Sequence, residues 1–235
     1  MIRILVLNPV ATEVWNELTL KHLRKIASPE TEIVVRNIER GPKVIESEYD
    51  RDYAAHYVVN EVVKAGKEGF NAIIINCFDD PGLHAAREVC GTLILGIGET
   101  SITTALLLGY RLAIISTGVN AKLLYYRRAI ELGIEKRVVY TGGIDVGVLD
   151  LRKDEDKVVK LLISEGEKAV DEYGADVIVL GCGGFIGMAG RLSEELGVPV
   201  VDPTETTFKV AESLAKIGVK HSRKYLFDRL SRGYP

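Results

Sequence analysis

Short runs made almost wholly of Val, Ile and Leu recur along the chain. Each is followed by a longer mixed segment. The runs fall at 2–7, 33–36, 72–76, 93–95, 112–116, 138–140, 177–181 and 198–201. Several are apolar throughout, the pattern of parallel strands covered on both faces rather than strands with one wet side. The segments 49–67, 154–173 and 208–217 return apolar residues every three or four positions, as amphipathic helices do. Strand alternating with helix predicts an α/β protein of parallel sheets flanked by helices.

The pattern is written twice. Residues 71–83 read NAIIINCFDDPGL and residues 176–188 read DVIVLGCGGFIGM. Each is a strand-like run that ends at a cysteine, Cys77 or Cys182, and passes into a glycine-bearing turn; the two cysteines are 105 residues apart. Arg3-Ile4-Leu5-Val6-Leu7-Asn8 matches Arg111-Leu112-Ala113-Ile114-Ile115-Ser116 at an offset of 108. Arg87 matches Arg191, and Glu99-Thr100-Ser101 matches Glu205-Thr206-Thr207 at an offset of 106. Any two strand–helix–strand units look somewhat alike, but cysteines and Glu-Thr-hydroxyl triplets at matching steps mark an internal repeat. It predicts two similar domains, 1–98 and 99–206, with Gly98 and Asp202-Pro203 at the crossovers. The remainder, 207–235, has no counterpart in the second half, so it is expected to return to the first domain.

Composition narrows the class. The 235 residues suffice for one large α/β domain or two small ones. A net charge of −3 and scattered basic residues give no reason to expect nucleic acid or an anionic membrane as partner. Met1-Ile2-Arg3 leads into an apolar run too short for a secretory signal, and no run approaches the roughly 20 residues that span a bilayer. Three cysteines make no disulfide framework, so a cytoplasmic protein with reduced thiols is expected. No C-x-x-C or H-x-x-x-H spacing occurs, and no metal is expected.

In parallel α/β sheets ligands bind outside the carboxyl ends of the strands. Both cysteines stand there, each just before an expected helix start, where backbone N–H groups and the helix dipole favour a thiolate. Gly82 and Gly183-Gly184 would let backbone amides approach a carboxylate, an imide or an enolate closely. Two thiols facing one carbon could take a proton from one side and return one to the other, the chemistry of a racemase or epimerase. Taken singly, either cysteine could be a small buried hydrophobe, which is how Cys90 reads. Asn8-Pro9 and Ser116-Thr117-Gly118 are polar turns that could line a cleft or cap helices. Glu99-Thr100 and Glu205-Thr206 could cap helices or orient the cysteine loops from behind. Asp79 and Asp80 could tune Cys77, bind a ligand nitrogen or form a solvated turn. His84 could pair with Cys77 or lie on the surface, and Phe78 and Phe185 could form an apolar wall or belong to the core.

The Cys-Phe-Asp-Asp-Pro-Gly-Leu around Cys77, the Gly-Cys-Gly-Gly around Cys182 and the Asn8-Pro9 step resemble the aspartate/glutamate/hydantoin racemase family. Within it the likeness is to the hydantoin and allantoin racemase branch, over essentially the whole chain. The resemblance implies two α/β domains related by a pseudo-two-fold axis, an active site in the cleft between them, and a C-terminal helix packed on the first domain. It also implies self-association into a homo-oligomer and a small-molecule substrate. The activity it implies is cofactor-independent racemisation, with Cys77 and Cys182 as the acid/base pair. Amino-acid racemases of the family tend to carry Thr after each cysteine to grip an α-carboxylate; here Phe78 and Gly183 follow. That departure points to a 5-substituted hydantoin or related ureide. An aspartate/glutamate racemase is the alternative, and a non-catalytic two-lobed small-molecule binding protein a further one. Relatives that decarboxylate arylmalonates keep one of the two cysteines, whereas both are present here. The first turn, Asn8-Pro9-Val10-Ala11-Thr12, lacks the second Asn that the family pattern places there.

Overall fold

The apolar runs form two four-stranded, wholly parallel sheets in the computed structural model, which describes residues 1–118 and 121–224. The first sheet holds β1 (Ile2–Asn8), β2 (Thr31–Asn37), β3 (Ala72–Ile75) and β4 (Leu93–Gly96), in the order β2-β1-β3-β4. The second holds β5 (Leu112–Ser116), β6 (Val138–Gly143), β7 (Val177–Leu180) and β8 (Val200–Val201), in the order β6-β5-β7-β8. The two orders are the same. The register of the central pairs matches too, Ile4 lying opposite Ala72 as Leu112 lies opposite Val177, whereas β5 and β6 carry a register shift between Leu112 and Ala113 that β1 and β2 lack. The chain divides into two compact units, Met1–Ile97 with the segment from Thr207 on, and Gly98–Thr206.

The first unit carries α1 (Asn16–Ile26), α2 (Glu48–Gly66) and α3 (Leu83–Val89). The second carries α5 (Ala121–Glu131), α6 (Glu155–Asp171) and α7 (Ala189–Leu196). Helix α4 (Ile97–Ala105) opens where the first unit ends, and α8 (Pro203–Lys216) where the second ends. The central strands β3 and β7 are buried at every position, as their unbroken apolar sequence requires. Helix starts follow local chemistry. Ser47 accepts from the Asp50 N–H at 3.1 Å to cap α2, and Asp154 accepts from the Lys157 N–H at 3.0 Å to cap α6.

Most boundaries lie within a few residues of the sequence pattern, and three differences are instructive. The last helix begins at Pro203 rather than 208, because proline is at home in the first helical position, where an N–H has no partner to miss. Gly98, expected at a crossover, lies inside α4 without ending the helix and is the first residue of the second unit. Strand β6 runs on to Gly143, since Thr141 and the two glycines stay in register with β5. From Thr207 on, α8 is tied to the first unit: Glu212 accepts from the Ser28 N–H at 2.9 Å and the Thr31 hydroxyl at 2.5 Å, and Lys216 pairs with Glu30 at 2.8 Å. Residues 225–235 of the expected return segment lie outside those described. Among the described residues no helix is long and apolar enough to cross a membrane.

Candidate active site

Cys77 and Cys182 each stand two residues beyond the end of a central strand, β3 or β7, and each is half-buried against its own unit's core. The loops that carry them share two backbone hydrogen bonds at matching steps. The Asp80 N–H donates to the Cys77 carbonyl at 3.0 Å, and the Phe185 N–H donates to the Cys182 carbonyl at 3.2 Å. One turn later the Leu83 N–H donates to the Asp80 carbonyl at 3.2 Å, and the Met188 N–H to the Phe185 carbonyl at 3.0 Å. These second turns have the type II form, with a left-handed glycine third. Gly82 has φ 72° and ψ 8°, and Gly187 has φ 83° behind Ile186 at φ −46° and ψ 128°. A side chain at either glycine would strain the turn.

The sequence pattern placed each cysteine directly before an α-helix; the structure does not. The double turn intervenes, so α3 starts at Leu83 and α7 at Ala189. What Cys182 has instead is a short 3-10 turn, Gly183–Phe185, and the Gly184 N–H donates to its Sγ at 3.3 Å. That gives a thiolate a local partner without a helix dipole.

The floors beneath the two loops differ in kind. In the first unit four asparagines form a chain across the strand ends. Asn76 Nδ2 donates to Asn8 Oδ1 at 2.7 Å, Asn8 Nδ2 to Asn16 Oδ1 at 2.9 Å, and Asn16 Nδ2 to Asn37 Oδ1 at 3.2 Å. Asn37 Nδ2 ends the chain on the Ile38 carbonyl at 3.1 Å. In the second unit the Ser116 and Tyr125 hydroxyls both meet the Gly181 carbonyl, at 2.7 and 3.1 Å. Asn8 and Ser116 therefore brace strand ends rather than cap helices.

Each cysteine loop is also joined to the end of the neighbouring strand by a buried carboxylate. Asp80, 5% exposed, lies over Gly96 at the end of β4: a Cβ there would stand 2.2 Å from its Oδ1. Asp202, 4% exposed, follows β8 and reaches the other way. Its Oδ2 accepts from the Gly187 N–H at 2.7 Å, while Oδ1 accepts from the Thr204 and Glu205 N–H groups at 2.9 and 3.0 Å, capping α8. Burial pushes the Asp202 carboxyl up to about 6, against the three N–H groups that favour its charge.

The remaining candidates fall into place around these loops. Phe185 is fully buried in the second unit's core, so it supports its loop and does not form an open wall. Phe78 and Pro9 are buried as well. Gly183 is half-exposed and Gly184 buried. Thr117 is buried and its carbonyl accepts from the Val146 N–H at 3.1 Å; Gly118 is exposed. Asp79 is half-exposed and its charge reaches the Arg51 guanidinium on α2. Glu99 and Thr100 stand in the first turn of α4, and Glu205 and Thr206 in that of α8, where the glutamates complement the helix dipole. His84 is exposed on α3 and Cys90 is buried in the core. Arg87 is buried and donates to the Ile94 carbonyl at 3.1 Å, whereas Arg191 pairs with Asp156 on the surface at 2.8 Å. Among the described residues no cluster of His, Cys, Asp and Glu could hold a metal ion.

Sequence reasoning passed over Asn16, Asn37, Asn76, Arg152 and Asp202. Only Asp202 left a signal: Asp-Pro after a strand marks an N-cap with proline first in the helix, not merely a break.

The family model for Asp/Glu/Hydantoin racemase matches residues 4–211. A hydantoin racemase from Pseudomonas sp. (strain NS671) is 36% identical over 222 residues, 94% of this chain and 89% of its own. A hydantoin racemase from Paenarthrobacter aurescens is 34% identical and covers 97% of both chains. Among solved structures, an allantoin racemase from Klebsiella pneumoniae superposes with a TM-score of 0.91 at 29% identity, over 97% of this chain and 93% of that one.

Proposed function

The chain belongs to the Asp/Glu/hydantoin racemase family and is a racemase, and we propose that Cys77 and Cys182 are its acid/base pair and a 5-substituted hydantoin or related ureide its substrate. One observation carries the assignment. The two cysteines occupy the same step of the same hydrogen-bonded loop, beyond equivalent strands. No other thiol has such a counterpart. In the proposed reaction one sulfur, as thiolate, takes the proton from C5 beside the ring carbonyl. The electron pair moves into an enolate, held by loop amides such as those of Gly183 and Gly184. The other sulfur, as thiol, returns a proton to the opposite face. The enzyme is left with its two protonation states exchanged, ready for the mirror-image substrate. A thiol suits both roles because its ordinary pKa, about 8.5, lies near working pH. Two features favour a ureide: the hydantoin and allantoin racemases among the relatives, and Phe78 and Gly183 where amino-acid racemases of the family tend to carry Thr.

The test is incubation of single enantiomers in D₂O. Hydantoins should lose optical rotation while taking up one deuterium at C5; aspartate and glutamate should do neither. Cys77→Ser and Cys182→Ser should each cut racemisation by roughly 10²–10⁴-fold, the scale of one general acid or base. Each variant is expected to retain exchange on at most one enantiomer. Full racemisation by either variant would remove the two-sulfur mechanism, and turnover of aspartate or glutamate in place of every hydantoin would remove the substrate class.

A further inference from the structure

The turn 185–188, just past Cys182, has an unusual feature at its centre. Its middle peptide group, the Ile186 carbonyl and the Gly187 N–H, is held at both ends by charged side chains. Arg152 Nη2 donates to the Ile186 carbonyl at 2.5 Å, and the Gly187 N–H donates to Asp202 Oδ2 at 2.7 Å. We infer that Arg152 and Asp202 are positioning residues that lock this peptide and thereby fix the loop bearing Cys182. The inference deepens the reading of Cys182 as an acid/base group and rests on it for its catalytic consequence.

The physics is that of a peptide flip. Types I and II of the β-turn differ chiefly in which way the middle peptide faces, and a left-handed third residue belongs to type II. Gly187 tolerates both forms, so the backbone alone does not choose between them. The charged pair does. A flip would aim the carbonyl oxygen at the Asp202 carboxylate and the N–H at the Arg152 guanidinium, exchanging two charge-assisted hydrogen bonds for two like-pole contacts. Arg152 is itself steadied by Glu155 at 2.8 Å. Asp202 is steadied by the two α8 N–H groups it caps. Little chain separates the lock from the sulfur. The Ile186 N–H donates to the Gly183 carbonyl at 3.2 Å and the Phe185 N–H to the Cys182 carbonyl at 3.2 Å, so a change at 186–187 is passed along one short turn to Cys182 and the Gly184 N–H beneath its Sγ. The burial that raises Asp202 to about 6 opposes a charged carboxylate at neutral pH, and the fold places one there nonetheless.

Asp202→Asn separates the two duties of the residue. Its amide oxygen can still cap α8, but its NH₂ group would face the Gly187 N–H, donor to donor. The expected result is a fall in kcat on a hydantoin of about tenfold with KM within about twofold, as for a misplaced catalytic group. The decisive readout is alkylation by iodoacetamide, resolved by site with peptide mass spectrometry. The Cys182 rate should change at least about threefold relative to Cys77 in the same molecule, since the lock acts on one loop alone. Arg152→Met should act in the same direction, and Arg152→Lys, which keeps a cationic donor, should restore much of the ratio. An unchanged alkylation ratio and an unchanged kcat in both Asp202→Asn and Arg152→Met would overturn the inference. The ratio needs no turnover to be measured. Were the wild type to racemise no hydantoin, a shifted ratio would still sustain the lock, and the functional reading alone would fall.

Discussion

The loops after β3 and β7 share two matching backbone hydrogen bonds but differ in local conformation, Asp80 being left-handed at φ 47° where Phe185 lies in a 3-10 turn, and they are stiffened by different means. In the first unit, Pro81 occupies the second position of the type II turn and the pyrrolidine ring sets its φ covalently. In the second, Ile186 stands at that position, and the turn is held by Arg152 and Asp202. The buried carboxylates are reciprocal: Asp80 reaches from the loop to the strand end at Gly96, and Asp202 from the strand end to the loop at Gly187. The floors differ too, amides beneath Cys77 and hydroxyls beneath Cys182. The repeat thus lies in the strand order and in the matching turns of the cysteine loops, and the side chains that hold them differ in each half. Chemistry that asks for two like groups needs only the strands and turns to be duplicated.

The largest contrast is electrostatic. Two buried carboxylates, Asp202 in the second unit and Glu212 in the first, have their affinities for protons shifted in opposite senses. Burial raises Asp202 from its ordinary 3.8 to about 6. Burial would also raise Glu212 in the first unit, but the Lys209 ammonium, the Thr31 hydroxyl and the Ser28 N–H hold it down to about 2. The signs follow from linkage. Between about 4 and 6 the folded chain keeps a proton on Asp202 that the unfolded chain has lost, so stability falls as pH rises through that window, by about 3 kcal/mol. Glu212 contributes stability above the ordinary carboxylate range, and this is lost as pH falls from about 4.5 towards 2. Urea denaturation from pH 3 to 8 should show both slopes. Asp202→Asn should flatten the upper one alone; persistence of that slope in the variant would assign it elsewhere.

The two floors offer a smaller contrast. Asn8, 2% exposed, links Asn76 to Asn16, so Asn8→Ala removes an acceptor from one and a donor from the other in a buried setting. Chemical denaturation should register a loss of about 1–3 kcal/mol. Ser116→Ala leaves the Gly181 carbonyl accepting from Tyr125 at 3.1 Å and should cost less, about 1 kcal/mol or below. Equal losses would mean that the asparagine chain adds nothing beyond its separate bonds.

The strands and the repeat were legible because both rest on short-range pattern: unbroken apolar runs, and matching residues at a near-constant offset. Cys77 and Cys182 were legible for the same reason, each ending such a run. What was not legible depends on partners distant in the chain. Nothing in the sequence joins Asn16 to Asn37, or Arg152 to the carbonyl of Ile186, until the sheets bring them together. Phe185 was ambiguous for the complementary reason. A large apolar residue in a glycine-rich turn looks like a ligand wall until the core beneath it is seen. The expected helix starts behind the cysteines failed because each loop makes two turns where the sequence pattern allowed for one.

The smallest expected effect bears most directly on why the halves differ. Pro81→Ala leaves every hydrogen bond of the Cys77 loop in place and frees one φ in the unfolded chain, so it should lower stability by about 0.4–1 kcal/mol. The reverse exchange is not equivalent. Ile186 has φ −46°, close to what proline adopts, yet Ile186→Pro would delete the N–H that donates to the Gly183 carbonyl at 3.2 Å. It would also press on Phe185, which lies in the 3-10 turn, since a residue before proline is driven from the helical region. In the first unit Asp80 has already left the right-handed region, at φ 47°, so its proline meets no such conflict. Ile186→Pro should therefore destabilise by about 1 kcal/mol or more, read by the same denaturation midpoints. If it stabilised instead, the charged lock of the second unit would not be a substitute for a proline that the loop cannot accept.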